Sequence, residues 1–272
     1  SIASNNPTST LAKEGDVITL SFTASETIDT PTVVIQSGSA SITNSVTVTN
    51  TSGDDWTATY TVHTDDTDGA VSFTISNLSD LSGNAGSNVT AVTDSSSVTV
   101  DKVSPTIDSI TMTSNNSTNT LGKLNDVITL SFSSSETINT PTVTFTDNGS
   151  NVLSTDSLTS DGNNWTATHT IDAGDDDGLV TFVISNISDT AGNTASNVST
   201  VSSGSNVTID QTAPTLTPIS ISTDYTVTTE ARIDNVITLT FTASETIIPT
   251  VVIKDYQNNV LSNDTGPTNT SS

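Results

Sequence analysis

The chain has 272 residues, 32% hydrophobic and 4% aromatic, enough apolar material for several modest cores and too little for one large one. Lys and Arg number 5 against 30 Asp and Glu, a formal net charge of -25. That charge argues against a nucleic-acid partner, and the zero cysteines exclude a disulfide framework and a thiol nucleophile.

Thr and Ser, roughly a third of the chain, suit solvated strands and turns and argue against helices. No run approaches 18 apolar residues, so no membrane-spanning helix is expected. From the N-terminus, a first strand is expected at residues 2–4. At 17–24, Ile18, Leu20 and Phe22 fall on one side and Val17, Thr19, Ser21 and Thr23 on the other, the period of two of a half-buried strand. A strand at 32–35 starts behind Pro31, whose missing N–H is harmless there, and a weaker one follows at 45–49. In 56–62 the residues Trp56, Ala58, Tyr60 and Val62 share a face, as do Val71, Phe73 and Ile75 in 70–75. The acidic, turn-rich stretch 63–69 between them predicts a hairpin of these two strands. The loop Ser79-Asp-Leu-Ser-Gly-Asn84 and a strand at 98–101 close the set.

The whole set then repeats. Asp16-Val-Ile-Thr-Leu-Ser-Phe-Thr-Ala-Ser-Glu26-Thr-Ile28 returns at 126–138 and again at 235–247, and the Asp80 loop returns as Ser188-Asp-Thr-Ala-Gly-Asn193. The spacings, 126 − 16 = 110 and 165 − 56 = 109 for the two tryptophans, give each copy the size of an immunoglobulin-like sandwich. The expected fold is all-β: tandem immunoglobulin-like β-sandwiches arranged as a rod by short Pro-containing linkers. Repeats are placed at 1–103, 104–212 and 213–272. Ser1 aligns with Thr111, so copy one is expected to lack the counterpart of 102–110. Copy three, with strands expected at 236–241 and 250–253, has no counterpart of Trp56, Phe73 or the Asp80 loop and is expected not to close a sandwich alone. An excerpt of a longer array explains both ends; a strand donated by a neighbouring molecule is the alternative.

The succession Asp-Val-Ile-Thr-Leu-Ser-Phe with Ser-Glu-Thr, then Trp-Thr-Ala-Thr, Asp-Gly-x-Val-x-Phe, Asp-x-x-Gly-Asn and Asp-x-x-x-Pro-Thr resembles the tandem bacterial Ig-like repeats of giant cell-surface adhesins and surface-layer proteins. The resemblance runs over the whole chain. It implies a structural segment of an extracellular cell-surface protein, either an adhesin stalk or a surface-layer lattice. Its partners would be further repeats of the same chain and neighbouring copies. Because members of this class are commonly stiffened by calcium near domain junctions, it also implies bound Ca2+.

Sandwich topology says which acids are neighbours, since the loops of an antiparallel sandwich collect at its two poles. At the first junction Asp65, Asp66, Asp68 and the linker residue Asp101 should approach Glu136, Asp189 and Asn193. At the second, Asp175, Asp176, Asp177 and Asp210 should approach Glu245. Glu26, Asp80 and Asn84 would form half of a further site. These are oxygen donors only, the ligand set of calcium, which takes six to eight oxygens in flexible geometry. The alternative is that the acidic loops are simply solvated faces. A glutamate at the same place in every copy (Glu26, Glu136, Glu245) is something a solvated face does not need.

Catalytic constellations are not found. His63 and His169 occupy non-equivalent places, His169 standing where copy one has Tyr60, and it reads as a hydrogen-bonded core residue. No Ser or Thr has a His and acid partner, and paired carboxylates at a repeated joint read better as ligands than as a glycosidase pair. Lys13 and Lys123 recur, but copy three has Arg232 there, which cannot form an isopeptide bond. No enzyme is expected. The competing function is a glycan- or surface-binding module, for which Tyr225 and Tyr256 are the candidate aromatics.

Overall fold

The computed structural model describes residues 1–147 and 151–261. It falls into two compact units, Ser1–Asp210 and Gln211–Ser272. The first unit contains copies one and two, each with a hydrophobic core of its own.

Copy one consists of β1 (Ile2–Ser4), β2 (Leu11–Ala12), β3 (Val17–Thr23), β4 (Thr32–Ser37), β5 (Ala40–Ser41), β6 (Thr47–Ser52), β7 (Asp55–Thr61), β8 (Gly69–Ser76) and β9 (Thr99–Val100). They make two sheets, ordered β1-β3-β7-β6 and β2-β9-β8-β4-β5. The alternation in β3 sets its register: Ile18 lies opposite Tyr60 and Leu20 opposite Ala58, all four buried. Every second residue of β3 thereby faces the other sheet.

One pairing differs from expectation. β7 bonds to β3 and β6 while β8 bonds to β4 and β9, so the strands flanking the acidic loop form no hairpin. The loop carries the chain from one sheet to the other. Each strand has a single apolar face, and placing them in opposite sheets brings Ala58 and Tyr60 into one core with Phe73 and Ile75. A hairpin would set the strands side by side.

Copy two repeats the plan with β10 (Ile107–Ser114), β11 (Leu121–Gly122), β12 (Val127–Ser134), β13 (Thr142–Asp147), β14 (Asn151–Leu153), β15 (Ser157–Asp161), β16 (Asn164–Thr170), β17 (Gly178–Leu179), β18 (Thr181–Ser185) and β19 (Thr208–Ile209). One sheet is β10-β12-β16-β15; the facing strands are β11-β19-β17 and β14-β13-β18. Both copies are immunoglobulin-like sandwiches. In the second unit, β20 (Leu216–Thr223) pairs antiparallel with β21 (Ile237–Ala243), Ile221 opposite Leu239. The strand expected at 250–253 is not formed, and only an isolated bridge joins Lys254 to Val260. The physical reason is the absence of a partner strand among the described residues of copy three; β4 and β13 are held by β8 and β18.

Copies one and two each close the far pole with an acid bonded to a buried strand residue. In copy one Asp66 is only 4% exposed; the Tyr60 hydroxyl donates to it, as do the N–H groups of His63 (2.8 Å) and Thr43 (2.9 Å). Desolvation alone raises the pKa of this carboxylate, but these donors outweigh it and hold Asp66 below the usual range. Burial, with the bond and charge of Asp66, pushes the Tyr60 hydroxyl up. Copy two uses His169 in place of Tyr60. Its Nε2 lies 2.9 Å from Asp175 Oδ2 and its Nδ1 2.9 Å from the Ser154 carbonyl. Tyr60→Phe leaves a buried carboxylate short of one donor, and the expected cost is about 1 to 3 kcal/mol, read as a lowered melting temperature of copy one with copy two unchanged.

Candidate metal centre

Three carboxylates from three segments converge between copies one and two. Asp101, Glu136 and Asp189 place oxygens within 4.8 Å of one another, although 136 − 101 = 35 and 189 − 136 = 53 residues separate them in sequence. The local folding of each segment explains the meeting. Asp101 follows β9 and is tied to copy one by its N–H on the Ala12 carbonyl, 2.9 Å; the Val103 N–H donates to its carboxylate, 3.1 Å. Glu136 lies just past β12, where the Ser134 hydroxyl holds the Glu136 carbonyl at 2.6 Å. Two residues on, Ile138 bridges Asp189, which fixes the Glu136 turn against the Asp189 loop.

Asp189 is fully buried. Its Oδ1 accepts from the Asn193 N–H (2.8 Å) and its Oδ2 from Asn193 Nδ2 (2.7 Å), while Asn139 Nδ2 binds its carbonyl at 2.7 Å. The loop turns at Gly192 with φ +88, a left-handed conformation natural to glycine, and a Cβ there would sit 3.4 Å from Lys13 Cε of copy one. Two further bonds cross the junction: Asn193 Nδ2 to the Asp101 carbonyl, 2.9 Å, and the buried Asn6 Nδ2 to the Ala191 carbonyl, 2.9 Å. The joint is thus a packed, hydrogen-bonded contact with acids at its centre.

Its electrostatics are unbalanced. Among the described residues no Lys, Arg or His pairs with these three acids. Lys102, the nearest basic residue in sequence, turns away and donates through Nζ to the Thr64 (2.7 Å) and Asp66 carbonyls of copy one, with its own N–H on Asp68 at 3.1 Å. Desolvation first, then the charges of Asp101 and Asp189, raise the pKa of Glu136. Desolvation also raises that of Asp101, opposed by the Val103 N–H and reinforced by Asp189 and Asp68. Mutual repulsion at such separations amounts to roughly 1 to 4 kcal/mol per ionised pair.

A carboxylate whose folded pKa lies above its unfolded value stabilises the fold below the unfolded pKa, and that contribution is lost as pH rises through the folded pKa. For Asp101 and Glu136 the metal-free joint therefore tightens as pH falls from neutrality toward the usual carboxylate range. Asp66 has the opposite dependence, but its depressed pKa puts its loss below that window. Melting in excess chelator at a series of pH values should show stability increasing on mild acidification and then decreasing in strong acid.

The remaining acids named from sequence divide differently. Asp66 is no junction ligand, because its carboxylate is consumed inside copy one by Tyr60, His63 and Thr43. Asp65 is exposed beside His63, its Oδ2 3.5 Å from Nδ1. Asp68 is held by the Lys102 N–H and affects the site through its charge on Asp101. Asn193 spends its amide nitrogen on Asp189 and Asp101, bracing the site from outside. In copy one, Asp80 is gripped by Asn84 through the same loop geometry, N–H 2.8 Å and Nδ2 2.7 Å, and the Asn84 side chain is the first cause holding its pKa below the usual range. Glu26 is exposed, and among the described residues nothing plays the part of Asp101 for this pair. Asp176 takes Asn151 Nδ2 at 2.6 Å, Asp177 and Asp210 are exposed on the first unit, and Glu245 is exposed on the second. Of the candidate aromatics, Tyr225 stacks under Arg232 at 4.7 Å and Tyr256 is 94% exposed.

Sequence reasoning missed Asn6 and Lys13 as junction residues. A signal was present: Asn6 bonds Asp16 and Asn116 bonds Asp126, both at 2.7 Å, so the Asn recurs with its acid in copies one and two.

No model of a known protein family matches the chain, and no curated protein matches it. Solved structures do resemble it in fold. The I-band fragment I67–I69 of titin is 12% identical with a TM-score of 0.41, covering 94% of this chain and 85% of that one. The full ectodomain (Ig1–Ig3) of mouse nectin-like molecule 4 is 14% identical with a TM-score of 0.32, covering 86% and 75%. The titin domains Z1Z2, solved in complex with telethonin, are 14% identical with a TM-score of 0.25, covering 78% and 96%.

Proposed function

We propose that the chain is a non-catalytic structural segment of a large extracellular cell-surface protein, a calcium-stiffened Ig-like spacer of an adhesin stalk or surface-layer lattice. The observation that carries this reading is the convergence of Asp101, Glu136 and Asp189 across a packed joint, with no Lys, Arg or His paired to them among the described residues. The donor chemistry suits the ion. Three hard carboxylate oxygens without nitrogen or sulfur favour calcium or magnesium over zinc or copper. Sites with an irregular ligand arrangement from separate loops, completed by water, are better tolerated by calcium than by magnesium. A bound dication removes the repulsion inside the joint and fixes the last residue of one copy to two loops of the next, so hinge motion between the copies is restricted.

Chelation tests the reading. With calcium in excess the melting temperature should rise by the linkage relation, about 2.7 kcal/mol of stabilisation at a hundredfold excess over Kd, and small-angle scattering should report a narrower distribution of lengths. Identical melting and scattering with calcium and with chelator would sink the proposal.

A further inference from the structure

Two asparagines cross the joint between copies one and two in opposite directions. Asn6 of copy one spends one amide hydrogen on Asp16 Oδ2 of its own copy, 2.7 Å, and the other on the Ala191 carbonyl of copy two, 2.9 Å. Asn193 of copy two spends one on Asp189 Oδ2, 2.7 Å, and the other on the Asp101 carbonyl of copy one, 2.9 Å. In each case a carboxylate inside the copy fixes the carboxamide, and the second N–H is aimed at main chain across the joint. The orientation of Asn6 is fixed twice, because its Oδ1 accepts the Thr8 N–H at 3.0 Å, and the residue is 6% exposed.

Both pairs recur away from this joint. Asn116 binds Asp126 at 2.7 Å and accepts the Thr118 N–H at 3.0 Å, and Asn84 binds Asp80 Oδ2 at 2.7 Å. Copies one and two therefore each carry one carboxamide held by an aspartate at either pole. Local folding does not account for the Asn6 and Asp16 pair. In copy one the turn is held by the Asn6 N–H on Ser4 Oγ (3.0 Å), the Val17 N–H on Asn5 Oδ1 (2.8 Å) and the Lys13 N–H on Asp16 Oδ2 (2.8 Å). The second unit has Tyr225 and Asn235 in the places of Asn6 and Asp16, yet it keeps the three bonds: the Tyr225 N–H on Thr223 Oγ (3.2 Å), the Val236 N–H on Asp224 Oδ1 (2.9 Å) and the Arg232 N–H on Asn235 Oδ1 (2.9 Å). The turn forms either way, and what the exchange gives up is the aimed carboxamide.

We infer that Asn6 and Asn193 form a reciprocal latch by which one repeat recognises the next, a docking surface that works without metal and whose partner is a second repeat offering a backbone carbonyl to each amide. A backbone carbonyl accepts whatever side chain its residue carries, so the latch reads the course of the neighbour's main chain. It acts apart from the calcium reading: it ties the Asp101 segment to the Asp189 loop before any ion is present and opposes the repulsion between their carboxylates.

The test uses the full chain. It has no cysteine, so Thr49→Cys in β6 and Thr159→Cys in β15, both exposed positions, take one spin label in each copy, and the distance between the labels is measured by pulsed dipolar spectroscopy in excess chelator. The parent chain should give one narrow distribution. Each crossing bond shifts the balance of docked and undocked copies by roughly 2- to 12-fold, so Asn6→Ala and Asn193→Ala should each broaden the distribution and the double variant should broaden it further. Asn116→Ala and Asn84→Ala remove the matching bonds to Asp126 and Asp80 away from this joint and should leave it as in the parent. Where Asn6→Ala weakens copy one itself, combining it with Asp16→Asn supplies the acceptor that the second unit uses at Asn235, and the broadening should persist. Repeating the series in calcium separates the two proposals, since a distribution that calcium leaves unchanged counts against the ion and not against the latch. A parent already broad in chelator, a double variant as narrow as the parent, or controls that broaden equally would overturn the inference.

Discussion

Trp165→Ala lowers the stability of copy two by about 3 to 5 kcal/mol, the largest effect expected of a single substitution in this chain. Trp165 is 6% exposed and lies opposite Phe132, the rings stacked at 6.2 Å with 6° between planes. Removing it opens a cavity under β12 and β16 that neighbouring strands, fixed by their ladders, cannot close. For a domain of this size the loss corresponds to a fall of at least roughly 12 °C in melting temperature. The indole N–H of Trp165 meets no acceptor in the structure, so Trp165→Phe forfeits packing but no hydrogen bond and should cost far less than the alanine. Thermal unfolding followed by near-ultraviolet dichroism checks both. The transition of copy one should stay in place, because the two cores share no residues.

Glu136→Gln is expected to change sign with conditions, which a purely structural residue does not do. In chelator the substitution removes one of three mutually repelling charges, so the variant should melt at or above the temperature of the parent chain. In calcium it removes a ligand, and affinity should fall roughly 10- to 100-fold, so the variant should melt below the parent. Glutamine keeps the length and most of the packing of the side chain, and the Ser134 bond to the backbone carbonyl of residue 136 is untouched. Melting of parent and variant in the two buffers gives four temperatures. Crossing of the two pairs supports metal ligation; a variant that is simply less stable in both buffers reduces Glu136 to a packing residue.

Much of the fold was legible in strand alternation. Ile18, Leu20, Trp56, Ala58 and Tyr60 alternate with polar residues because one face of each strand is buried and the other solvated, and the threefold return of the Asp16 segment made the repeat unit plain. Partner choice was less legible. Residues 56–62 and 70–75 look like a hairpin because their connecting loop is short and turn-rich, but a loop of that length also suffices to cross between the sheets of a sandwich, and only the shared core of Tyr60 and Phe73 decides. Copy three gave the opposite difficulty: residues 250–253 have strand character, yet among the described residues no strand like β8 lies beside them and they form none.

The junction was legible as a meeting place because it depends on the poles of a sandwich, which the repeat length already implies. Glu136 and Asp189 sit at one pole of copy two and Asp101 at the end of copy one, and short linkage through Pro105 does the rest. Which acids of the 63–69 loop join them was not legible. Asp66 and Asp68 are two residues apart, and the turn that begins at His63, not strand alternation, sends one inward to Tyr60 and leaves the other beside Lys102. The exchange of Tyr60 with Asp66 for His169 with Asp175 between copies was the available clue, since in both cases a strand residue with a polar tip faces the same loop acid.

The measurement that tests the account most directly is a calcium titration of the full chain followed at the backbone amides of Val103, Gly192 and Asn193. These N–H groups belong to the joint, and the bonds of Val103 and Asn193 to the carboxylates of Asp101 and Asp189 must adjust when an ion draws those oxygens together. The account predicts one saturable step common to the three amides, absent in Glu136→Gln at the same calcium concentration, with the amides of Thr43 and His63 around the buried Asp66 unmoved. Joint amides that stay fixed up to millimolar calcium, or that drift with the amides around Asp66 without saturating, would contradict it.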